Sequence, residues 1–217
     1  VFSVIFCLFA FLLAGAPASA ETKATTFGGR EKVKEMDYTT TMTMEEFLNK
    51  SEKYTITPLN DKYLAFEVYL PVGWIPLDNE AEKNEIGGGI FRKLSMYTGP
   101  ANFVARSVFR VRSIDLEGLI TAENWAYKYM VEMGFAVDGI SLQSRQRVEM
   151  QYTLFVNTEP MMTRAVIEMT GGRMVIAEYL VHQDNYEAEK DQQVLAMKSF
   201  HLLEPDSRPA VEMKQYP

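Results

Sequence analysis

Three apolar-rich runs follow one another with almost nothing between them: "RVEMQYTLFV" at 147–156, "MTRAVIEM" at 162–169 and "RMVIAEYLVH" at 173–182. The first alternates Val148, Met150, Tyr152, Leu154 and Val156 on one side, the two-residue period of a half-buried strand. The second and third are separated by Thr170-Gly171-Gly172, a tight hairpin signal. Connections this short join antiparallel neighbours and leave no room for a crossover helix. A sheet built from such a meander dictates the class, and the helices must cover its faces.

The other elements are read around it. "MEEFLNKSEKY" at 44–54 has the look of a short helix, with Glu45 and Glu46 near its positive end. "KYLAFEVYLP" is a strand stopped by Pro71, which has no N–H for a ladder. Gly73 permits a turn, and Trp74 can fold back beneath the sheet as a plug. "IFRKLSMYTG" and "ARSVFRVRSIDL" are two further strands. "TAENWAYKYMVEMGF" is the clearest helix. Thr121 caps it, Gly134 ends it, and Ala122, Trp125, Ala126, Tyr129, Met130 and Met133 share a face. A last helix spans about 185–198, with Tyr186, Val194 and Met197 facing inwards. The order predicts an α+β fold, a mainly antiparallel sheet flanked by helices.

The ends carry different information. Residues 1–20, "VFSVIFCLFAFLLAGAPASA", contain no charge. Their apolar run is shorter than the ~20 residues of a spanning helix, and "ASA" at Ala18–Ala20 fits a signal-peptidase site. The expectation is a signal peptide cleaved after Ala20 and a periplasmic, exported protein, with a retained anchor as the alternative. Residues 21–43 read as a flexible arm, 44–203 as one domain and 204–217 as a loose tail. Cys7 is the only cysteine, so a mature chain would have no disulfide, thiol nucleophile or thiolate metal site. The formal charge is −7 and the pI about 5.0, which argues against a nucleic-acid partner.

Two short motifs carry a resemblance. The strand that runs into "YLPVGW" and the helix followed by "AMKSFHL" at Ala196–Leu202 are similar to features of the superfamily of the photosystem-II extrinsic protein PsbP, the Ran-binding protein Mog1 and the periplasmic protein DcrB. The resemblance covers about Phe66–Leu202. It implies a PsbP/Mog1-like α/β/α sandwich in which Pro71, Gly73, Trp74 and Trp125 are structural, and a superfamily of accessory and adaptor proteins that contributes no catalytic residues.

No catalytic constellation stands out. His182 and His201 lie at strand ends in no metal-ligand spacing. Asp184 and Glu187 beside His182 could pair with it as base and carboxylate, but no G-x-S-x-G serine is present to serve it. Gly87–Gly89 precedes a strand, whereas a phosphate loop follows one. The sharpest polar feature is "ARSVFRVRS", where alternation places Arg106, Arg110 and Arg112 on one face, with Arg145 and Arg147 as further members. These five could bind a carboxylate-rich partner or an anion. The plainer reading is a solvated face balanced by Glu149 and Glu168. Met161 and Met162 lie at a turn and are candidate partner contacts. The reading is therefore a non-enzymatic accessory or scaffold protein that binds an envelope assembly (secretion, conjugation, uptake or photosynthetic) through its arm or sheet face. It needs no cofactor or metal, and peripheral membrane association is left open. The alternative is a small-ligand or anion-binding protein, or a cryptic hydrolase, using the arginine face.

Overall fold

The computed structural model describes residues 34–77, 91–101, 105–116, 118 and 120–205. The signal-peptide reading, the first part of the arm, the loop holding Gly87–Gly89 and most of the tail fall outside these. In chain order the elements are α1 (Met44–Asn49), β1 (Ser51–Ile56), β2 (Phe66–Pro71), β3 (Ile75–Pro76), β4 (Arg92–Thr98), β5 (Val108–Asp115), α2 (Ala122–Met133), β6 (Ala136–Leu142), β7 (Arg147–Val156), β8 (Glu159–Thr170), β9 (Arg173–His182), α3 (Tyr186–Ser199) and β10 (His201–Leu202).

The strands form a seven-stranded sheet ordered β3-β4-β5-β9-β8-β7-β6 and a three-stranded sheet ordered β1-β2-β10. Every pairing is antiparallel. The hairpin β8–β9 turns at Gly171 and Gly172, whose φ values of 52° and 74° explain the two glycines. β9 takes the middle of the large sheet because its side chains are apolar on both faces, and from Met174 to His182 all are buried. One core lies between the large sheet, the small sheet and α3, with Phe66, Val68, Leu70, Tyr179 and Phe200 at its centre. A second lies under α2, with Trp125, Tyr129, Met150, Tyr152 and Ile176. The two faces of β8 and β9 alternate between these cores.

The short helices follow local rules. At α1 a capping box forms, the Thr43 hydroxyl accepting from Glu46 N and the Glu46 carboxylate from Thr43 N. At α2 Thr121 caps the start and Gly134, at φ 66°, ends it. Where β2 ends, Gly73 turns at φ 91° and Trp74 swings into the first core. The indole lies 5.0 Å from the Tyr179 ring and so close to Gly99 that a β-carbon there would stand 3.2 Å from two ring carbons. Trp74 is thus a core plug.

Two expectations need correction, and one strand appears that the sequence analysis does not include. "SEKY" is strand, not helix: α1 stops at Asn49, and β1 then pairs residue for residue with β2 from Ser51↔Pro71 to Ile56↔Phe66, a tertiary pairing that overrides local helix preference. β6, unforeseen because Asp138 and Gly139 interrupt its alternation, forms an edge strand with an irregular register between Val137 and Gly139. The arm does not run to residue 43: residues 34–43 are fastened to the domain, as described below.

Replacing Trp74 by alanine should cost about 3–5 kcal/mol, because the site is walled by backbone and ring and cannot collapse. Urea denaturation measures this, and a loss below about 1 kcal/mol would mean that the indole plugs nothing.

Candidate functional site

The two faces of the large sheet carry two polar constellations. On the α2 face, β5 and β9 place Arg110 directly opposite Glu178. Arg110 Nε donates to Glu178 Oε2 at 2.7 Å, and Arg112 donates to the same oxygen through Nη2 at 2.6 Å and Nε at 3.0 Å. Tyr152 donates to Oε1 at 2.6 Å. Arg112 Nη2 also reaches the Tyr129 hydroxyl at 3.0 Å, and its guanidinium lies 4.8 Å from the Phe91 ring centroid. Glu178 is wholly buried and Arg112 is 1% exposed. Burial alone would raise the Glu178 pKa. The guanidinium groups of Arg110 and Arg112 outweigh it and hold the carboxyl down at about 2. Burial pushes the Tyr129 hydroxyl up to about 12, and Tyr152 rises as well. Glu178 is therefore a fixed anion near neutral pH and no general base. Its two arginines are committed to it, and the cluster clamps β5, β7, β9 and α2 together.

The five arginines do not converge. Arg110 and Arg112 are inside, on one face. Arg147 is on the other face, donating to Glu168 at 2.7 Å and to the Phe200 carbonyl at 3.2 Å. Arg106 and Arg145 are exposed and lie outside the strands, Arg106 before β5 and Arg145 between β6 and β7. The methionine pair divides too: Met161 is buried at 5% exposure under α2, while half-buried Met162 accepts from the Thr153 hydroxyl. Met161 is thus core and offers no contact surface. His182 is also buried. Its Nδ1 accepts from Asp184 N at 3.2 Å, so Nε2 carries the proton and faces Glu159 at 3.0 Å. This fixes the ring as a cap on the turn before α3 and leaves its basic nitrogen occupied. His201 belongs to the small sheet and is exposed. Among the described residues no three His, Cys, Asp or Glu side chains are grouped to hold a metal ion, and no helix is long and apolar enough to cross a membrane.

On the α3 face the chain binds a segment of itself. Lys34 offers its carbonyl to Ile140 N on the edge strand β6 at 3.0 Å. Met36 is buried and lies against Gly139, where a β-carbon would meet Met36 and the Glu35 carbonyl at 3.3 Å. Asp37 gives its carbonyl to Arg164 Nη2 on β8 and its carboxylate to Lys190 on α3, at 2.7 Å. The Lys190 ammonium and the Thr39 hydrogen bonds draw the Asp37 carboxyl well below the usual carboxylate range. Tyr38 donates to Glu149 on β7 at 2.8 Å and accepts from Gln143 at 3.1 Å. Its ring centroid is 5.3 Å from both Arg164 Cζ and Lys198 Nζ. Thr41 and Met42 donate their N–H groups to Asp191 at 2.9 Å.

Arg164 is the centre of this face. It is 1% exposed, and burial lowers its pKa. Nη2 also donates to Gln151 at 3.0 Å, whereas Nε and Nη1 have no hydrogen-bond partner among the described residues. Sequence reasoning passed over this residue. The signal was present in "MTRAVIEM", where a charge stands at an inward position between Met162 and Val166. It was likewise present at Glu178, the single charge inside "MVIAEYLV".

No protein-family model matches the chain, and no curated protein matches it. Solved structures do. The solution structure of cyanobacterial PsbP (CyanoP) from Synechocystis sp. PCC 6803 shares 14% identity, covers 70% of this chain and 92% of its own, and superposes with a TM-score of 0.50. The crystal structure of LpqN, involved in cell envelope biogenesis of Mycobacterium tuberculosis, shares 10% identity over 73% of this chain and 96% of its own, with a TM-score of 0.45. The chain has a PsbP-like α+β fold, as its "YLPVGW" and "AMKSFHL" motifs suggest.

Glu178→Gln should lower stability by about 3–5 kcal/mol at neutral pH, because it leaves two buried guanidinium groups facing a neutral amide. The wild-type chain should also lose roughly 3 kcal/mol as acid protonates Glu178. A carboxyl depressed from 4.5 to about 2 stabilises the fold above pH 4.5, and that contribution disappears as pH falls from 4.5 through about 2. Stability measured over this window should fall more steeply with acid in the wild type than in Glu178→Gln, where Asp37 and the other depressed carboxylates still titrate; equal slopes would show that Glu178 makes no pH-dependent contribution.

Proposed function

We propose that this chain is an exported accessory protein, without catalysis of its own, that docks onto a larger assembly of the cell envelope. The observation that carries this reading is the α3 face. There the sheet grips a segment of chain through its backbone, a carboxylate and an aromatic ring, which is how a protein surface recognises another protein. Two conspicuous polar groups elsewhere act as anchors: Glu178 is held ionised between two arginines, and the His182 ring is locked by its turn. The fold shared with cyanobacterial PsbP and the export-like residues 1–20 support the same reading. Anion capture on the arginine face has lost its ground, since Arg110 and Arg112 already hold Glu178 and Arg147 lies on the opposite side. Partner contact then falls to the segment before residue 34, to the α3 face that holds residues 34–42, and to half-buried Met162.

The tagged full-length chain, purified from gently solubilised envelopes, should bring a stoichiometric set of envelope proteins identifiable by mass spectrometry. Deleting residues 21–33 should leave the melting temperature unchanged and reduce that recovery by about tenfold, a loss of ~1.4 kcal/mol in binding. Recovery of the chain alone from the native envelope would refute the docking role.

A further inference from the structure

The Asp37–Tyr38 pair sits in its slot as an imperfect occupant. Arg164 is 99% buried by its surroundings, being 1% exposed, yet the segment satisfies only Nη2 and leaves Nε and Nη1 without a partner. A buried guanidinium edge of this kind matches a carboxylate in the two-pronged geometry that arginine favours. Gln151, which could have turned to help, is spent: its Oε1 accepts from Nη2 and its Nε2 donates to Tyr186 at 2.9 Å. The segment is fastened at both ends, by Lys34 and buried Met36 on β6 and by Thr41 and Met42 on Asp191, and the weaker part of its hold is the Asp37–Tyr38 pair between them. Asp37 is 53% exposed in its ion pair with Lys190, and exposed pairs of this kind contribute little. Tyr38 is held by two hydrogen bonds, one of them from exposed Gln143. The slot itself is rigid, because Arg164 and Glu149 stand on paired central strands and Lys190 and Lys198 on one helix.

We infer that the slot formed by Arg164, Lys190, Lys198, Glu149 and Gln151 is a peptide-recognition site, closed in this chain by its own Asp37–Tyr38, and that it receives a partner segment in which a carboxylate residue precedes an aromatic one. Glu149 lies near Arg164, and Glu187 and Asp191 lie near Lys190, so the selection for a carboxylate comes from the unfilled Arg164 edge, and the Tyr38 position beside Arg164 and Lys198 selects for an aromatic face. The segment acts as a placeholder that keeps the slot covered until a better ligand displaces it. This rests on the docking role proposed above and names the chemistry of the partner.

The probe is the fluorescently labelled peptide KEMDYTTTM, residues 34–42 of this chain, titrated against purified full-length protein and followed by anisotropy. In a chain carrying Asp37→Asn and Tyr38→Ala the placeholder loses its hold, and the peptide should bind about tenfold more tightly than to wild type. Adding Arg164→Gln should abolish that gain, as should replacing the aspartate of the peptide by asparagine. Equal affinity for the wild-type and released chains, or binding indifferent to Arg164, overturns the site. If the double variant fails to fold, NMR of the wild-type chain decides: excess peptide should shift the Tyr38 ring resonances, and unmoved resonances reject displacement. Sedimentation of the released chain must show a monomer, since a dimer formed by exchanged segments would assign the slot to a second copy. Only the purified chain and a peptide are used, so a failure here removes the slot and leaves the envelope co-purification result standing.

Discussion

A carboxylate in the middle of an otherwise apolar strand organises this molecule. Glu178 lies on β9, the strand with neighbours on both sides and a core on each face. A lone anion there would be prohibitive. It is tolerated because β5 brings two guanidinium groups to it in register, while Tyr152 on β7 donates to it and Tyr129 on α2 accepts from Arg112. The consequence is a demand on alignment. A one-residue slip of β5 against β9 would send Arg110 and Arg112 into the opposite, apolar core and strand Glu178 among hydrocarbons. Packing alone would tolerate several registers of Val, Ile and Met; the ion cluster tolerates one.

The class of the fold was legible because it rests on local signals. The Thr170-Gly171-Gly172 turn, the alternation from Val148 to Leu154, and the helix from Thr121 to Gly134 each carry their instruction within a few residues. β1 was not legible in that way. "SEKYTI" becomes a strand only because "FEVYLP" lies beside it, and no window of the sequence contains both sides of that contact in register. β6 escaped for a different reason, since Gly139 is there to let Met36 approach and weakens the very alternation that marks a strand.

The candidate site was less legible than the fold. Arg110 and Arg112 were recognised as a pair by their spacing, but spacing along one strand cannot say which face is buried. Whether a charged face meets solvent or a second charge depends on the neighbour, here a single Glu178 from β9. Arg164 illustrates the converse. Its position in "MTRAVIEM" is an inward one, where a polar side chain is costly unless paired, and the partners that lessen that cost come from Asp37 and Tyr38, more than a hundred residues earlier. Met161 and Met162 are adjacent and chemically alike, yet the pleat sends one into the core and the other towards α3.

The small sheet has a bearing on biosynthesis. Its strand order is β1-β2-β10, and β10 contributes only His201 and Leu202, paired to Glu67 and Phe66. The centre of that sheet is therefore a hairpin made early, whose second edge is covered by nearly the last described residues. A chain emerging from a ribosome N-terminus first would carry β2 with one row of backbone donors and acceptors open until the Phe200 ring arrives, to rest 5.6 Å from that of Phe66. Completion of the fold is thus tied to the synthesis of α3 and β10, and a product cut short before α3 would present a sticky edge.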